Sequence, residues 1–477
     1  MTLTLTVPPR TNADRLTGLP VAIIGAGPVG LAAAAHLLER GLPVVVYEAG
    51  PTVGTSVRAW GHTRLFSPWQ YVIDPAAQRL LEATGWEAPR ASSLPTGHDL
   101  VDAYLAPLAA TPQLATVIQY GTRVEAVSRQ GMDRTRSTGR ADTPFLLRLH
   151  TADGAHDVTA RAVVDTSGTY TSPNPLTAAG LAPAADLGDR VVHALPDVLG
   201  ADRARFAGKR VLVIGAGHSA ANTLIKLASL AKTAPGTDVL WAVRNAGTAR
   251  LGADAADGLA ARGQLGSTVH GLVESGQVQQ IASYEIDDVR PAGDQVTVSG
   301  RRAGEVFAVT VDVIVNATGF RPDLDMLREI RLGLDDIVEA PRALAPLIDP
   351  NLHSCGSVPP HGVAELAHPE PNFFIAGMKS YGRAPTFLLL TGYEQVRSIA
   401  AELAGDHTAA RLVELVLPET GVCSTDLGGS SCCTTPSSAG SPTAAAPTVD
   451  VTAPETASCC AAPEPTPAAD SSSCCAN

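Results

Sequence analysis

Two glycine-rich turns, opened by Gly25 and by Gly215 190 positions later, constrain this chain more than any other feature. The first reads Val21-Ala-Ile-Ile-Gly25-Ala-Gly27-Pro28-Val-Gly30 and the second Val211-Leu-Val-Ile-Gly215-Ala-Gly217-His-Ser219-Ala220. Each follows a short apolar run and leads into an Ala-rich stretch with helical periodicity. Strand, tight glycine turn and helix, in that order, form the phosphate-binding corner of a βαβ unit. One such turn is a weak sign; two with the same flanks predict two dinucleotide sites in one chain.

In the first turn, Gly25 permits the sharp bend and Gly27 lets the backbone approach a pyrophosphate. Gly30 lets helix and strand pack closely, and Pro28 suits the first helical position. An acid about 20 residues on is expected to accept hydrogen bonds from a ribose; Glu48 stands there, closing Val44-Val-Val-Tyr-Glu48. A bound flavin reduced by a nicotinamide is the simplest chemistry that needs both sites, so the first is assigned to FAD.

The second turn repeats the geometry through Gly215, Gly217, Ser219 and Ala220, with Ala in the third place as dinucleotide sites permit. The next apolar run, Val239-Leu-Trp-Ala-Val-Arg244, ends without a carboxylate. Arg244 occupies the place of a ribose-binding acid, and a guanidinium suits a 2′-phosphate that an acid would repel. NADPH is therefore expected over NADH, the alternative being that Arg244 only caps the strand in solvent.

A chain of 477 residues has room for two or three full cores. Lys+Arg 35 against Asp+Glu 47 gives −12 with no basic block, which disfavours a nucleic-acid or anionic-membrane partner. The first twenty residues lack an apolar signal core, and no uncharged apolar run approaches the roughly 20 residues of a bilayer span. The sequence thus reads as soluble and cytoplasmic, with a homodimer an open alternative to a monomer. Of eight cysteines only Cys355 precedes residue 420; the rest are Cys423 and the adjacent pairs Cys432-Cys433, Cys459-Cys460 and Cys474-Cys475. An exported disulfide scaffold would spread its bridges through the core.

Strand-like runs are Val21–Ile24, Val44–Tyr47, Ala162–Val164, Val211–Ile214, Val239–Val243, Val311–Val315 and Phe373–Ala376. Helical periodicity covers Leu31–Leu38, Ala221–Leu230 and Phe387–Leu403. That alternation predicts an α/β protein with doubly wound sheets. From Cys423 onward there is no aromatic residue, Lys or Arg, and Ser, Thr, Ala and Pro dominate. Such a stretch buries too little apolar surface to offset its chain entropy, so a disordered tail is expected, with Ser-Cys-Cys recurring three times.

Two further segments, Asp165-Thr-Ser-Gly168-Thr-Tyr170-Thr-Ser-Pro173 and Asn316-Ala-Thr318-Gly319-Phe320-Arg-Pro322, resemble the paired "ATG" linkers of flavin-containing monooxygenases. The resemblance covers about residues 20–405. It implies two Rossmann-like dinucleotide-binding domains, an NADPH domain inserted into a split FAD domain. Its boundaries would be an N-terminal extension at 1–18, the first FAD part at 19–170, the NADPH domain at 171–315, the second FAD part at 316–420 and the tail at 421–477. In such two-dinucleotide flavoproteins a segment like Asn372-Phe-Phe-Ile-Ala-Gly377-Met-Lys379 closes the FAD site. The usual acid after its glycine is here Met378; Lys379 could serve as the contact, the alternative being an exposed lysine. The family's histidine motif is degenerate in Leu187-Gly188-Asp-Arg-Val-Val-His193, leaving His193 either functional or a surface or interdomain histidine.

The segment Arg58-Ala-Trp60-Gly-His62-Thr-Arg64-Leu-Phe66-Ser67-Pro68-Trp69 lies where the family passes the flavin ring. Trp60, Arg64 and Phe66 would then contact the cofactor, with Arg64 and Ser67 nearest the reacting atoms. With the Ser-Cys-Cys tail, it resembles the flavin monooxygenases of arsenic-resistance operons. The implied activity moves oxygen from a flavin hydroperoxide to a soft nucleophile such as trivalent arsenic or antimony, with molecular oxygen as co-substrate. Two alternatives stay open: an NADPH-dependent disulfide or metal reductase using the tail cysteines, and a protein that sequesters thiophilic metalloids. Adjacent thiolates can chelate a soft ion, so Cys432, Cys433, Cys459, Cys460, Cys474 and Cys475 are candidate metalloid ligands.

Overall fold

Val21–Ile24 is buried on both faces, the mark of a strand inside a parallel sheet. It is β1 of a parallel sheet with β2 (Val44–Tyr47), β3 (Ile118–Gln119), β7 (Ala162–Asp165) and β16 (Phe373–Ile375), in the order β16-β7-β1-β2-β3. The sheet thus joins strands from both ends of the described chain. The computed structural model describes residues 15–245, 260–349, 358–384 and 387–415. Residues 1–14, Cys355, Pro385, Thr386 and the cysteine-bearing tail lie outside these.

A second parallel sheet is built from β8 (Val191–His193), β9 (Arg210–Ile214), β10 (Asp238–Ala242), β11 (Gln279–Ile281) and β15 (Val313–Asn316), ordered β11-β10-β9-β15-β8. In each sheet the strand before the glycine turn is flanked by the next strand in sequence on one side and a later one on the other. That reversal of direction opens a crevice at the carboxyl ends of the strands, where ligands of such sheets bind.

Two antiparallel sheets were not anticipated. One comprises β4 (Arg123–Arg129), β5 (Phe145–Thr151) and β6 (Gly154–Ala160); the other β12 (Tyr284–Ala292), β13 (Gln295–Arg302) and β14 (Glu305–Val311). Their strands alternate, with Phe145, Leu147 and Leu149 of β5 inward, the period-2 pattern of a half-buried sheet. The expected single strand Val311–Val315 is therefore two. Val311 ends β14, Asp312 turns the corner, and Val313 starts β15. The Asp312 carboxylate accepts the Arg210 N–H at 2.7 Å while its own N–H donates to the Arg210 carbonyl at 2.9 Å. This fixes the corner against β9.

The first glycine turn opens the helix Pro28–Glu39, buried from Val29 to Leu37. Its alanines admit the sheet on one side and the helix Leu389–Leu403 on the other. A Cβ on Gly392 would stand 2.7 Å from the Val29 side chain, so the two helices meet almost backbone to side chain. The helix Leu389–Leu403 begins two residues later than the expected Phe387, since Leu388 is still extended. The second turn opens the helix His218–Ala231. A buried Glu370, between the Arg129 and Arg140 guanidinium groups at 2.8 Å each, ties β4 to the segment entering β16.

Candidate functional site

At the carboxyl ends of β7, β1 and β16 three segments converge: Thr166-Ser167, the first glycine turn, and Ala376-Gly377. Gly25 has φ +99°, a conformation that disfavours any side chain, and a Cβ there would stand 3.1 Å from the Ser167 backbone. A Cβ on Gly30 would lie 2.0 Å from the Gly25 carbonyl oxygen. Around Gly27, by contrast, nothing lies within 4 Å of the place a Cβ would take. Two glycines thus close the turn on itself, and the middle one faces open space.

No side chain caps the helix that starts after Gly27, so its first N–H groups remain to meet a ligand. Glu48 is half-buried; its two oxygens accept the Ala26 and Gly50 N–H groups at 2.8 Å each. Those bonds brace the turn against the next loop, and a carboxylate keeps further lone pairs for a ribose. Backbone space at Gly27, an uncapped helix of twelve residues and a fixed carboxylate fit a dinucleotide.

The second turn has the same construction. Gly215 has φ +131° and its absent Cβ would lie 2.0 Å from the Ala317 carbonyl, whereas Gly217 faces open space. The helix again lacks a side-chain cap; Ala220 is buried and Ser219 half-buried. The Trp241 indole, wholly buried in β10, reaches the carbonyl of Gly215. Arg244 is exposed, two residues past the end of β10 rather than at the strand end. These residues fit a second dinucleotide, with a guanidinium free of the sheet.

The two linkers run side by side. Asn174 N–H donates to the Gly319 carbonyl at 2.9 Å, Arg321 N–H to Ser172 at 3.0 Å, and Thr318 Oγ1 to Asn174 at 3.0 Å. Tyr170, His193 and Phe320 close on one another, with His193 stacked on Phe320 at 5.3 Å. His193 therefore belongs to the junction between linkers, and its Nε2 is buried without a hydrogen-bond partner. Farther along the second linker, an open pocket of about 470 Å³ is lined by Ser172, Arg321, Pro322 and Glu339 among others.

The segment 58–69 crosses toward the second turn. The Phe66 ring sits 5.3 Å from that of His218, the first residue of the second glycine helix. His62 lies near Lys226 of the same helix. Burial, and then the Lys226 charge, hold the His62 imidazole below its usual pKa; burial likewise lowers that of Lys226. Trp60 is half-buried over Gly97, whose Cβ would meet the indole at 2.8 Å. Arg64 is exposed and donates to the Leu94 carbonyl at 2.7 Å, and Ser67 is half-buried.

Gly377 has φ +73° and donates its N–H to Gln395 Oε1 at 2.8 Å. Lys379 is not an exposed lysine: it is 2% accessible and bonded to Asp165 and Ser167. Sequence reading gave Asp165, Ser167, Trp241 and Gln395 no role. Asp165 carried a signal, a lone acid ending an apolar strand; Gln395, inside a helix, carried none. Among the described residues no three His, Cys, Asp or Glu side chains cluster as metal ligands, and no helix is long and apolar enough to cross a membrane. The candidate metalloid ligands in the tail lie outside the described residues.

A family model described as pyridine nucleotide-disulphide oxidoreductase matches residues 22–351. Among solved structures, the chain is similar to bacillithiol disulfide reductase from Bacillus cereus: TM-score 0.61, 20% identity, over 81% of this chain and 99% of that one. It is also similar to the FAD-bound cadaverine monooxygenase of desferrioxamine biosynthesis from Erwinia amylovora: TM-score 0.59, 15% identity, over 84% of this chain and 98% of that one. At these identities the likeness is one of fold. Thiamine thiazole synthase of Pyrobaculum aerophilum is 47% identical over 51 residues, 11% of this chain, and the chain spans 20% of that relative's length.

Proposed function

The chain belongs to the pyridine nucleotide-disulphide oxidoreductase family, and from that premise we propose that it is an NADPH- and FAD-dependent monooxygenase acting on a soft nucleophile, trivalent arsenic or antimony. One observation carries the choice of oxygenase over disulfide reductase. The family-matched segment, residues 22–351, contains no cysteine, so a dithiol cannot be built within it.

When bound, FAD supplies the two-electron and oxygen chemistry and NADPH the hydride; the residues bind, orient and exclude water. Gly25, Gly27, Pro28 and Gly30 hold the FAD pyrophosphate at the first helix N-terminus, and Glu48 accepts from its ribose. Trp60, Arg64 and Phe66 border the ring, while Thr318, Gly319, Gly377 and Lys379 close the site from the linker and β16 sides. Gly215, Gly217, Ser219 and Ala220 hold the NADPH pyrophosphate, and Arg244 pairs with its 2′-phosphate. Arg64 and Ser67 make the substrate-side polar contacts, Arg64 through guanidinium N–H groups other than the one given to Leu94. The Phe66–His218 contact supports a path by which the two sites meet. We assign the enzyme to the cytoplasm, with FAD as its resident cofactor.

The test is oxygen uptake with NADPH across arsenite, methylated trivalent arsenicals, antimonite, sulfides and amines. Uptake stimulated by the trivalent metalloids is expected. Equal stimulation of NADPH oxidation without oxygen overturns the oxygenase reading. The cysteine pairs favour one second reading, a reductase whose tail thiols reach the flavin. Truncation after Glu419 separates the two: oxygenase turnover persists at high substrate, whereas a tail-dependent reductase stops.

A further inference from the structure

Arg244 stands two residues past β10, yet the backbone on either side of it is fastened. The Val243 N–H donates to the Ile281 carbonyl at 3.1 Å, and the Val243 carbonyl accepts the Tyr284 N–H at 3.0 Å. The Asn245 carbonyl accepts the Ser283 N–H at 3.2 Å. Successive N–H groups of an extended strand point to opposite sides, so two consecutive donors on one neighbouring segment require a bend. Ser283 supplies it with φ +54°, a left-handed conformation that favours glycine. It is the corner at which the chain leaves β11, the edge of the parallel sheet, for β12 of an antiparallel one.

The bend is held from its other side as well. The Ser283 carbonyl accepts the Ala303 N–H at 2.8 Å. Ala303 and Gly304 are the two-residue loop between β13 and β14, with φ +51° and +88°. Positive φ at both places is what a type I′ hairpin turn requires, and asparagine, aspartate or glycine usually takes the first. Ser283 and Ala303 are thus two of the five described non-glycine residues with positive φ, and they are bonded to each other. Conformations of this kind persist where the surroundings over-determine them, and they gather at ligand sites. Core packing does not call for this one: Ala303 is exposed and Ser283 half-buried. The bond lies instead by the carboxyl ends of β10 and β11, the end of an open α/β sheet at which ligands bind.

We propose that Ser283 and Ala303 are positioning residues for the choice of nicotinamide cofactor. The hairpin tip holds the Ser283 bend, and the bend grips the backbone on both sides of Arg244. The exposed guanidinium is thereby presented from a fixed base, as bidentate pairing with a phosphate demands. This deepens the reading of Arg244 as the 2′-phosphate ligand and rests on it. Neither residue touches the cofactor; both act through Arg244, so disturbing them costs the 2′-phosphate its partner and leaves the rest of the dinucleotide site intact.

The test is the dissociation constant of the full-length chain for NADP⁺ and for NAD⁺, measured by calorimetry. Ala303→Pro removes the N–H and forces φ to about −65°. Ser283→Val keeps its N–H but places a β-branched side chain where φ is positive. Each is expected to weaken NADP⁺ about fivefold and to leave NAD⁺ within about twofold. Ser283→Gly and Ala303→Gly keep both the N–H groups and the backbone conformation, and are expected to bind NADP⁺ within about twofold of the original. A merely structural corner weakens both cofactors alike or neither, and either result in the first two variants overturns the proposal. Arg244→Ala is measured in parallel. If it leaves the ratio of the two constants unchanged, the reading of Arg244 itself falls; if it shifts the ratio while Ala303→Pro and Ser283→Val do not, only the positioning role falls.

Discussion

The indole Nε1–H of Trp241 donates a 2.7 Å hydrogen bond to the carbonyl oxygen of Gly215, so the side chain of one strand fixes the turn at the end of its neighbour. Val213 of β9 is the register partner of Trp241, which places the indole two residues short of the turn it braces. Phenylalanine at 241 would keep most of the packing and leave that carbonyl without its donor, at a cost of about 1–3 kcal/mol. Trp241→Phe is expected to raise KM for NADPH about five- to tenfold, with bound flavin unchanged. Steady-state kinetics and the flavin-to-protein ratio check this; an unchanged KM removes Trp241 from the site.

Gly27 and Gly30 differ in what surrounds them, and their variants should differ accordingly. A methyl at Gly27 enters open space, so Gly27→Ala leaves the flavin-free melting temperature within a degree or so and still weakens FAD. A methyl at Gly30 meets the Gly25 carbonyl at 2.0 Å, an overlap that backbone must relieve. Gly30→Ala is expected to lose FAD and also about 2 kcal/mol of stability, read from urea unfolding of the flavin-free chain.

Glu370 is a stability residue away from the glycine turns. Its carboxylate is 0% accessible and faces the Arg129 and Arg140 side chains, themselves 0% and 4% accessible. Glu370→Gln leaves two buried cations without a counter-charge, and removing one partner of a buried pair costs about 3–5 kcal/mol. Urea midpoints should fall accordingly while KM for NADPH stays put in whatever fraction folds.

The strands and helices carrying the turns were legible because their signals are local. Val21–Ile24 and Val44–Tyr47 are apolar runs bounded by turn residues, and the structure gives them those same ends. The alternation in β5 is a local signal too, with Phe145, Leu147 and Leu149 on one face. The division of Val311–Val315 was not legible, because what breaks the run is the contact of Asp312 with Arg210, 102 residues away. The same holds for the site. Glycine spacing announced both turns, whereas Lys379 meets Asp165 across 214 residues, a pairing set only by the order of strands in the sheet.

His368 gives the fold a pH dependence. Burial pushes its imidazole down to about 4 in the folded chain, against 6.5 for the free group. Between those values the unfolded chain binds a proton that the folded one refuses, so stability falls as pH drops below about 6.5. The slope is at most about 1.4 kcal/mol per unit for one group. In His368→Gln, which can still accept the Gly333 N–H, the loss between pH 7 and pH 5 should shrink by about 1–2 kcal/mol. Urea midpoints at the two pH values test this; an equal loss in both proteins contradicts it.

Arg244 separates the two nicotinamide cofactors. Arg244→Ala should raise KM for NADPH roughly tenfold or more and leave that for NADH nearly unchanged, since only the former has a 2′-phosphate. Parallel losses for both cofactors would remove the residue from that role.

One optical measurement reaches the central claim, that a flavin and a pyridine nucleotide occupy two separate turns of one chain. The full-length protein, reconstituted with FAD and freed of excess, is scanned in the visible range before and after NADPH is added without oxygen. The account predicts a yellow protein whose flavin absorbance bleaches on adding NADPH and returns when air is admitted. A protein that stays colourless after reconstitution, or whose colour NADPH leaves untouched, contradicts it.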